Sequence, residues 1–256
     1  MPDYRYRAAL LTALERERPR PGSNSNLQSG SVLRQASEEL GIRRDEAAEQ
    51  RLLTEWSELF RTGVLAWGHN LDNPNPPFCH FTGLGERLME GAQRDPGNPA
   101  GYLAHLHASA ELSPVALSYL TEGLDCYVGG LYKAAAVMVG AASERLVLDV
   151  RERLIERMAQ RKEDATDALR DWRIKRVLDG LKSYFDQHKK TFGQELRDAY
   201  EAYWPAFTQQ IRAARNEAGH PTNMDPLTPD AVHAAFLVFP EVAKVVTGLN
   251  AWIAEG

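Results

Sequence analysis

The stretch LYKAAAVMVGAASERLVLDVRERLIERMAQR, residues 131–161, constrains the fold more than any other part of the chain. It reads as one long helix, apolar on every side at its start and amphipathic after Ser143. A helix that is apolar all round must be covered all round. Its Ala- and Gly-rich portion allows neighbouring helices to approach closely. The surroundings supply such neighbours. LSPVALSYLTEGLDCYVGGL runs up to a Gly-Gly break, and TDALRDWRIKRVLDGLKSYFDQHKK carries Leu169, Val177, Leu178 and Leu181 at helical spacing. ELRDAYEAYWPAFTQQIRAARNEAGH is a further helical run that Pro205 is expected to kink or divide. AVHAAFLVFPEVAKVVTGLNAWI closes the chain, with Asp230 expected as its N-cap. Helices with short connections imply an all-α bundle over residues 110–254.

The first part of the chain differs in style. Tyr6, Ala9, Leu10, Ala13 and Leu14 mark a first helix, ended by PRPGSNSN. SVLRQASEELGI gives a second, stopped by Gly41. A third starts at an Asp45 cap and turns Ala48, Leu52, Leu59 and Phe60 inward. The period then changes to two: VLAWGH, a Pro/Asn-rich tip and FCHFTG read as a β-hairpin, and GLGERLMEGA as a closing short helix. The Pro- and Gly-containing stretch around QRDPGNPAG is read as a linker over 94–109. The expected fold class is therefore mainly α, with domains at 3–93 and 110–254.

The composition narrows the function classes. A formal net charge of −5 confines nucleic-acid contact to local patches. Two cysteines, Cys79 and Cys126, lie outside any CxxC, so no thiolate zinc cluster is expected and a reducing cytoplasm fits. The N-terminus is charged and lacks an apolar signal core, and no membrane span is read from the apolar runs. His69 and His80 are expected to face each other across the hairpin, but two histidines without a third ligand do not make a metal site. His105 and His107 are read as solvent-facing and Lys133 as a surface residue. No metal or cofactor is expected.

Helix, helix, helix, hairpin, helix is the order of a winged helix-turn-helix, and HFTGLGERLM resembles the end of many such domains. The resemblance covers about residues 3–93. It implies that the third helix meets DNA, for which Arg43, Arg44, Gln50 and Arg51 are the available contacts. Glu46, Glu49, Glu55 and Glu58 on the same helix point the other way, to a winged helix used for protein contacts or as a dimerisation brace. Both readings stand at this stage.

The motif with chemistry is Arg215-Asn216-Glu217-Ala218-Gly219-His220-Pro221. Residues five apart on an ideal helix point about 140° away from each other, so a continuous helix would separate Arg215 from His220. Gly219 and Pro221 interrupt it, and a residue preceding proline is driven out of helical angles. The stop thereby lets His220 fold back beside Arg215. With YKAAAVMVGAASERL upstream and an apolar closing helix, the chain resembles a HEPN domain over about residues 110–254. That family's signature is Arg, then a polar residue, then His four to six residues beyond the Arg.

The resemblance implies a metal-independent endoribonuclease. A guanidinium binds a phosphate in a bidentate way and stabilises the transition-state charge. An imidazole moves a proton to or from the 2′-OH or the leaving 5′-oxygen. Asn216 is assigned to a phosphate oxygen or the ring's tautomer, and Glu144 to orienting the pair. One Arg and one His per chain make a thin site, and HEPN ribonucleases form homodimers that line one cleft with two motifs. The setting implied is toxin or antiphage defence in the cytoplasm, with an RNA substrate and a protein partner or antitoxin. Arg173, Lys175, Arg176, Lys182, Lys189 and Lys190 form the sustained basic run, and with Tyr184 and Phe185 they fit tracking of a single strand. The bland alternatives remain open: a solvated helix face for the basic run, a helix cap for the Arg/His pair, and a non-catalytic dimerisation or ligand-binding module for the whole bundle.

Overall fold

A computed structural model describes residues 4–19, 26–90, 94–213 and 228–255. It is mainly helical, and the chain divides into two compact units: residues 1–105 with 128–130, and 106–127 with 131–256.

The first unit begins with α1 (Arg5–Glu17), α2 (Ser29–Leu40) and α3 (Glu46–Arg61). Gly41 ends α2 in the left-handed region at φ 66°, and the Ile42 amide reaches back to the Ser37 carbonyl. A residue with a Cβ is strained there, which is why glycine serves as the stop. Asp45 caps α3 by accepting from the Ala48 amide at 3.1 Å. Strands β1 (Leu65–Trp67) and β2 (Cys79–Phe81) pair antiparallel, Ala66 opposite His80. Trp67 stacks on Phe60 at 4.0 Å, and Trp56 packs edge-on against both, so α3 and the hairpin share an aromatic clamp. Thr82 caps α4 (Gly83–Glu90) through the Gly85 amide. Leu10, Leu14, Val32, Ala36, Leu52, Leu59 and Leu88 form the core beneath.

The linker expected at 94–109 contains a helix, α5 (Pro99–His107), with Tyr102 and Leu106 buried. Asn98 caps it through the Gly101 amide, and Pro99 occupies its first position, where no amide is needed. The prolines and glycines that read as a linker are a helix start and the turn before it. Arg7, buried on α1, donates from Nε to the Gly97 carbonyl at 2.8 Å and fixes that turn to the first unit.

The second unit holds α6 (Pro114–Val128), α7 (Tyr132–Gln160), the short α8 (Asp167–Arg170), α9 (Ile174–His188), α10 (Gln194–Ala213) and α11 (Pro229–Glu255). A 3-10 turn over Lys189–Thr191 follows α9. Helix α7 packs along α11, and α11 along α10. A Cβ on Gly123 of α6 would meet Met138 Cβ at 3.2 Å and Phe236 at 3.4 Å, the close approach expected of small residues in a bundle. Helix α10 continues through Pro205 as one element. The α11 cap is Thr228, whose Oγ1 accepts from the Ala231 amide at 3.2 Å. Asp230, expected as the cap, lies in the first turn, because Pro229 takes the position after the cap.

Helix α11 is long and apolar enough to cross a membrane, with a window of mean hydropathy 1.5, although no span was read from the sequence. Half of that window is buried inside the protein. Phe236, Phe239, Val242, Val246, Leu249 and Ile253 account for much of its apolarity and sit in the bundle core.

Candidate functional site

Arg215, Asn216 and His220 lie outside the described residues. The elements on either side of them are α10, ending at Ala213, and α11, capped at Thr228. At the start of α11, the Tyr127 hydroxyl and His233 Nδ1 share a hydrogen bond of 2.9 Å. The rings of Tyr132 and Phe236 each meet Tyr127 edge-on at 5.6 Å. This aromatic–histidine cluster was invisible in sequence, since its hydrogen-bonded partners are 106 residues apart.

Glu144 is half-buried on α7, one residue after Ser143, whose hydroxyl bonds back to the Val139 carbonyl at 2.8 Å. The next residue, Arg145, donates to Asp149 at 2.7 Å and Glu152 at 2.6 Å, while Ser113 donates to Asp149 at 2.7 Å. Burial opposes the Arg145 charge, but the Glu152 and Asp149 carboxylates outweigh it and raise its pKa. The network borders a groove of about 540 Å³ whose wall includes Glu111, Asp149, Glu152, Arg153 and Glu156 over Leu146 and Val246. Even with Arg145 bonded to Asp149 and Glu152, four carboxylates against two guanidinium groups leave that wall acidic and unfavourable to a phosphate backbone.

The basic run is largely paired. Arg173 and Arg176 both bond Asp171, Lys182 pairs with Asp186, and Lys189 with Glu201 at 2.8 Å. Lys175 and Lys190 are exposed. Of the two aromatics expected to stack on bases, Phe185 turns inward and Tyr184 is half-buried. Phe185 is fully buried among Phe192, Tyr200, Trp204 and Trp252, and Tyr184 stacks on His188 at 4.2 Å. Phe185 shares the apolar face of α9 with Leu178 and Leu181, so core packing claims it. The aromatic exposed next to the run is Trp172, immediately before Arg173 and 85% exposed.

In the first unit, Arg43, Arg44, Gln50 and Arg51 are all exposed. The Arg44 amide bonds Glu49 at 3.0 Å, and Gln50 reaches Glu46 at 3.4 Å. Arg61 is held by Glu58 at 2.7 Å. His80 lies opposite Ala66 and not His69, its Nδ1 hydrogen-bonded to the Gly68 carbonyl at 2.7 Å. Lys133 and His107 are exposed, whereas His105 is half-buried. Among the described residues no group of three or more His, Cys, Asp or Glu is placed to hold a metal ion. Burial pushes the Cys79 thiol up to about 11. Burial, with Glu122 and Asp125, also raises Cys126, so neither is poised as a thiolate nucleophile. No protein-family model, curated protein or solved structure matches the chain.

Proposed function

We propose that this chain is a metal-independent endoribonuclease of HEPN type, acting as a homodimer in toxin or antiphage defence. The observation that carries the reading is the Arg215-Asn216-x3-His220-Pro221 motif, set in sequence between two helices that pack together in an all-helical unit. In this reading Arg215 binds the scissile phosphate, His220 transfers the proton, Asn216 contacts a phosphate oxygen, and Glu144 orients the pair. Two motifs in one dimer cleft supply both an acid and a base. The first unit acts as a winged helix. Helix α3 carries Glu46, Glu49, Glu55 and Glu58 against Arg51 and Arg61, a balance that favours protein contacts or dimerisation over a DNA groove.

The competing reading, a non-catalytic ligand-binding module, draws on the acidic groove beside Asp149 and Glu152. Its charge fits a cationic ligand and not RNA. Cleavage of RNA by the full chain in chelator separates the two. The wild type is expected to cut, with Arg215→Ala and His220→Ala each slowing cleavage by about 100-fold or more while remaining folded. Cutting that survives both substitutions would reduce the motif to a helix stop.

A further inference from the structure

We propose that Trp172 is a base-stacking platform for single-stranded RNA, held outward by the chelated turn between α8 and α9; this rests on the ribonuclease reading. The chain has five tryptophans. Trp56, Trp67, Trp204 and Trp252 each pack on other rings. Trp172 leaves its indole in solvent. An exposed indole on a folded surface forgoes the burial that makes aromatic residues stabilising.

The turn that presents it is rigidly tied. Asp171 accepts from the Arg173 amide at 2.8 Å, from Arg173 Nε at 3.0 Å and Nη2 at 2.9 Å, and from Arg176 Nη1 at 2.8 Å. The Asp171 side chain is only 9% exposed, whereas Arg173 and Arg176 are about half exposed, at 53% and 50%. One sheltered carboxylate thus orients two guanidinium groups on residues that follow Trp172 directly in the chain, with Arg173 Nη1 and Arg176 Nε and Nη2 lying outside the chelate. Across residues 170–176, Arg170, Arg173, Lys175 and Arg176 stand against Asp171 alone, a net charge of +3 on an otherwise acidic chain.

The chemistry of the surroundings selects the occupant. A protein-docking tryptophan is expected within an apolar patch. Among the described residues, no other exposed large hydrophobic lies within 30 residues of Trp172 along the chain, and its immediate neighbours, Asp171 and Arg173, are charged. An exposed aromatic residue in a locally cationic stretch is the combination that binds a single strand, the base by stacking and the phosphates by charge.

The test uses the full chain carrying His220→Ala, to suppress cleavage, and an oligoadenylate of about 12 nucleotides, followed by anisotropy of a labelled strand and by tryptophan fluorescence. Adding Trp172→Ala is expected to weaken binding roughly 5- to 150-fold and abolish the fluorescence quench that stacking produces. Trp172→Phe, which keeps a π-face, restores most of the affinity. Lys175→Ala leaves the quench intact and reduces the salt slope by about 0.7. Equal affinity in Trp172→Ala and its parent overturns the stacking platform and leaves the nuclease reading standing. A parent that binds no strand, in a protein whose wild type cleaves RNA, overturns it as well. A wild type that neither cleaves nor binds RNA removes both readings. Loss of a dimer in Trp172→Ala, with RNA affinity unchanged, would assign the indole to a contact between copies.

Discussion

Two arginine–carboxylate clusters, one in each unit, are built with opposite polarity. In the first unit the cation is at the centre. Arg7 is 3% exposed, bonded to the Gly97 carbonyl, with Glu55 4.0 Å from its Nη1. In the second unit the anion is at the centre, and Asp171 gathers Arg173 and Arg176 at the surface. Enclosing a guanidinium commits it to the fold, because a buried charge demands its partners continuously. Enclosing a carboxylate instead leaves the cations facing water, where they remain available to a ligand. The same residue types therefore build an anchor in one place and a binding surface in the other.

The largest effect expected from breaking this comparison is at Arg7. Desolvation lowers its pKa, and the nearby carboxylates of Glu55, Asp95 and Glu58 oppose that shift. Arg7→Met keeps the apolar stem but strands the Gly97 carbonyl and removes the cation nearest Glu55. A loss of about 3 kcal/mol is expected in denaturant unfolding of the first unit. Burial already raises the Glu55 pKa against the pull of Arg7, and the substitution raises it further. A carboxyl whose folded pKa is raised favours the protonated folded state. Its contribution is present below the unfolded value and lost as pH rises through the folded one. The deficit of Arg7→Met is thus greatest at neutral pH and shrinks on acidification. A deficit that grows toward acid would mean Glu55 is not the group left behind.

What could be read from the sequence follows the range of the interactions involved. Gly41 and Asp45 were legible because a left-handed stop and a cap involve residues within one turn. The inward turn of Leu178 and Leu181 followed from helical spacing. The same spacing also claims Phe185 for the core, and reading it as a stacking residue neglected the helix phase. The helix within residues 94–109 was not legible because Asn98 and Pro99 begin it with the very residues that mark a loop. The Arg7 anchor and the Tyr127–His233 pair join positions 90 and 106 residues apart, and no local pattern announces them. Arg215, Asn216 and His220 were legible as a motif and lie outside the described residues, so their chemistry rests on the proposal. Trp172 stood unremarked immediately before the basic run, since exposure is a tertiary property.

The smaller effect is expected at Asp171, and it sharpens the contrast. Hydrogen bonds from the Arg173 side chain and amide, with the charge of Arg176, hold its carboxyl well below the usual range. A carboxylate with a depressed folded pKa stabilises above its unfolded value and loses that stabilisation only as pH falls through the folded one. The turn should therefore stay chelated through mildly acid pH, and the Trp172 fluorescence should change only at stronger acid. Asp171→Asn removes the charge but retains an acceptor, so the melting temperature is expected to fall far less than for Arg7→Met, the cluster being at the surface. The indole should nevertheless become more mobile, seen as lower steady-state anisotropy of the Trp172 emission at neutral pH. An equal thermal loss in the two variants would mean that Asp171 is a structural centre like Arg7 and that its exposed cations are incidental. Lower anisotropy with little thermal loss would show that the carboxylate's principal effect is to hold the turn for whatever meets Trp172.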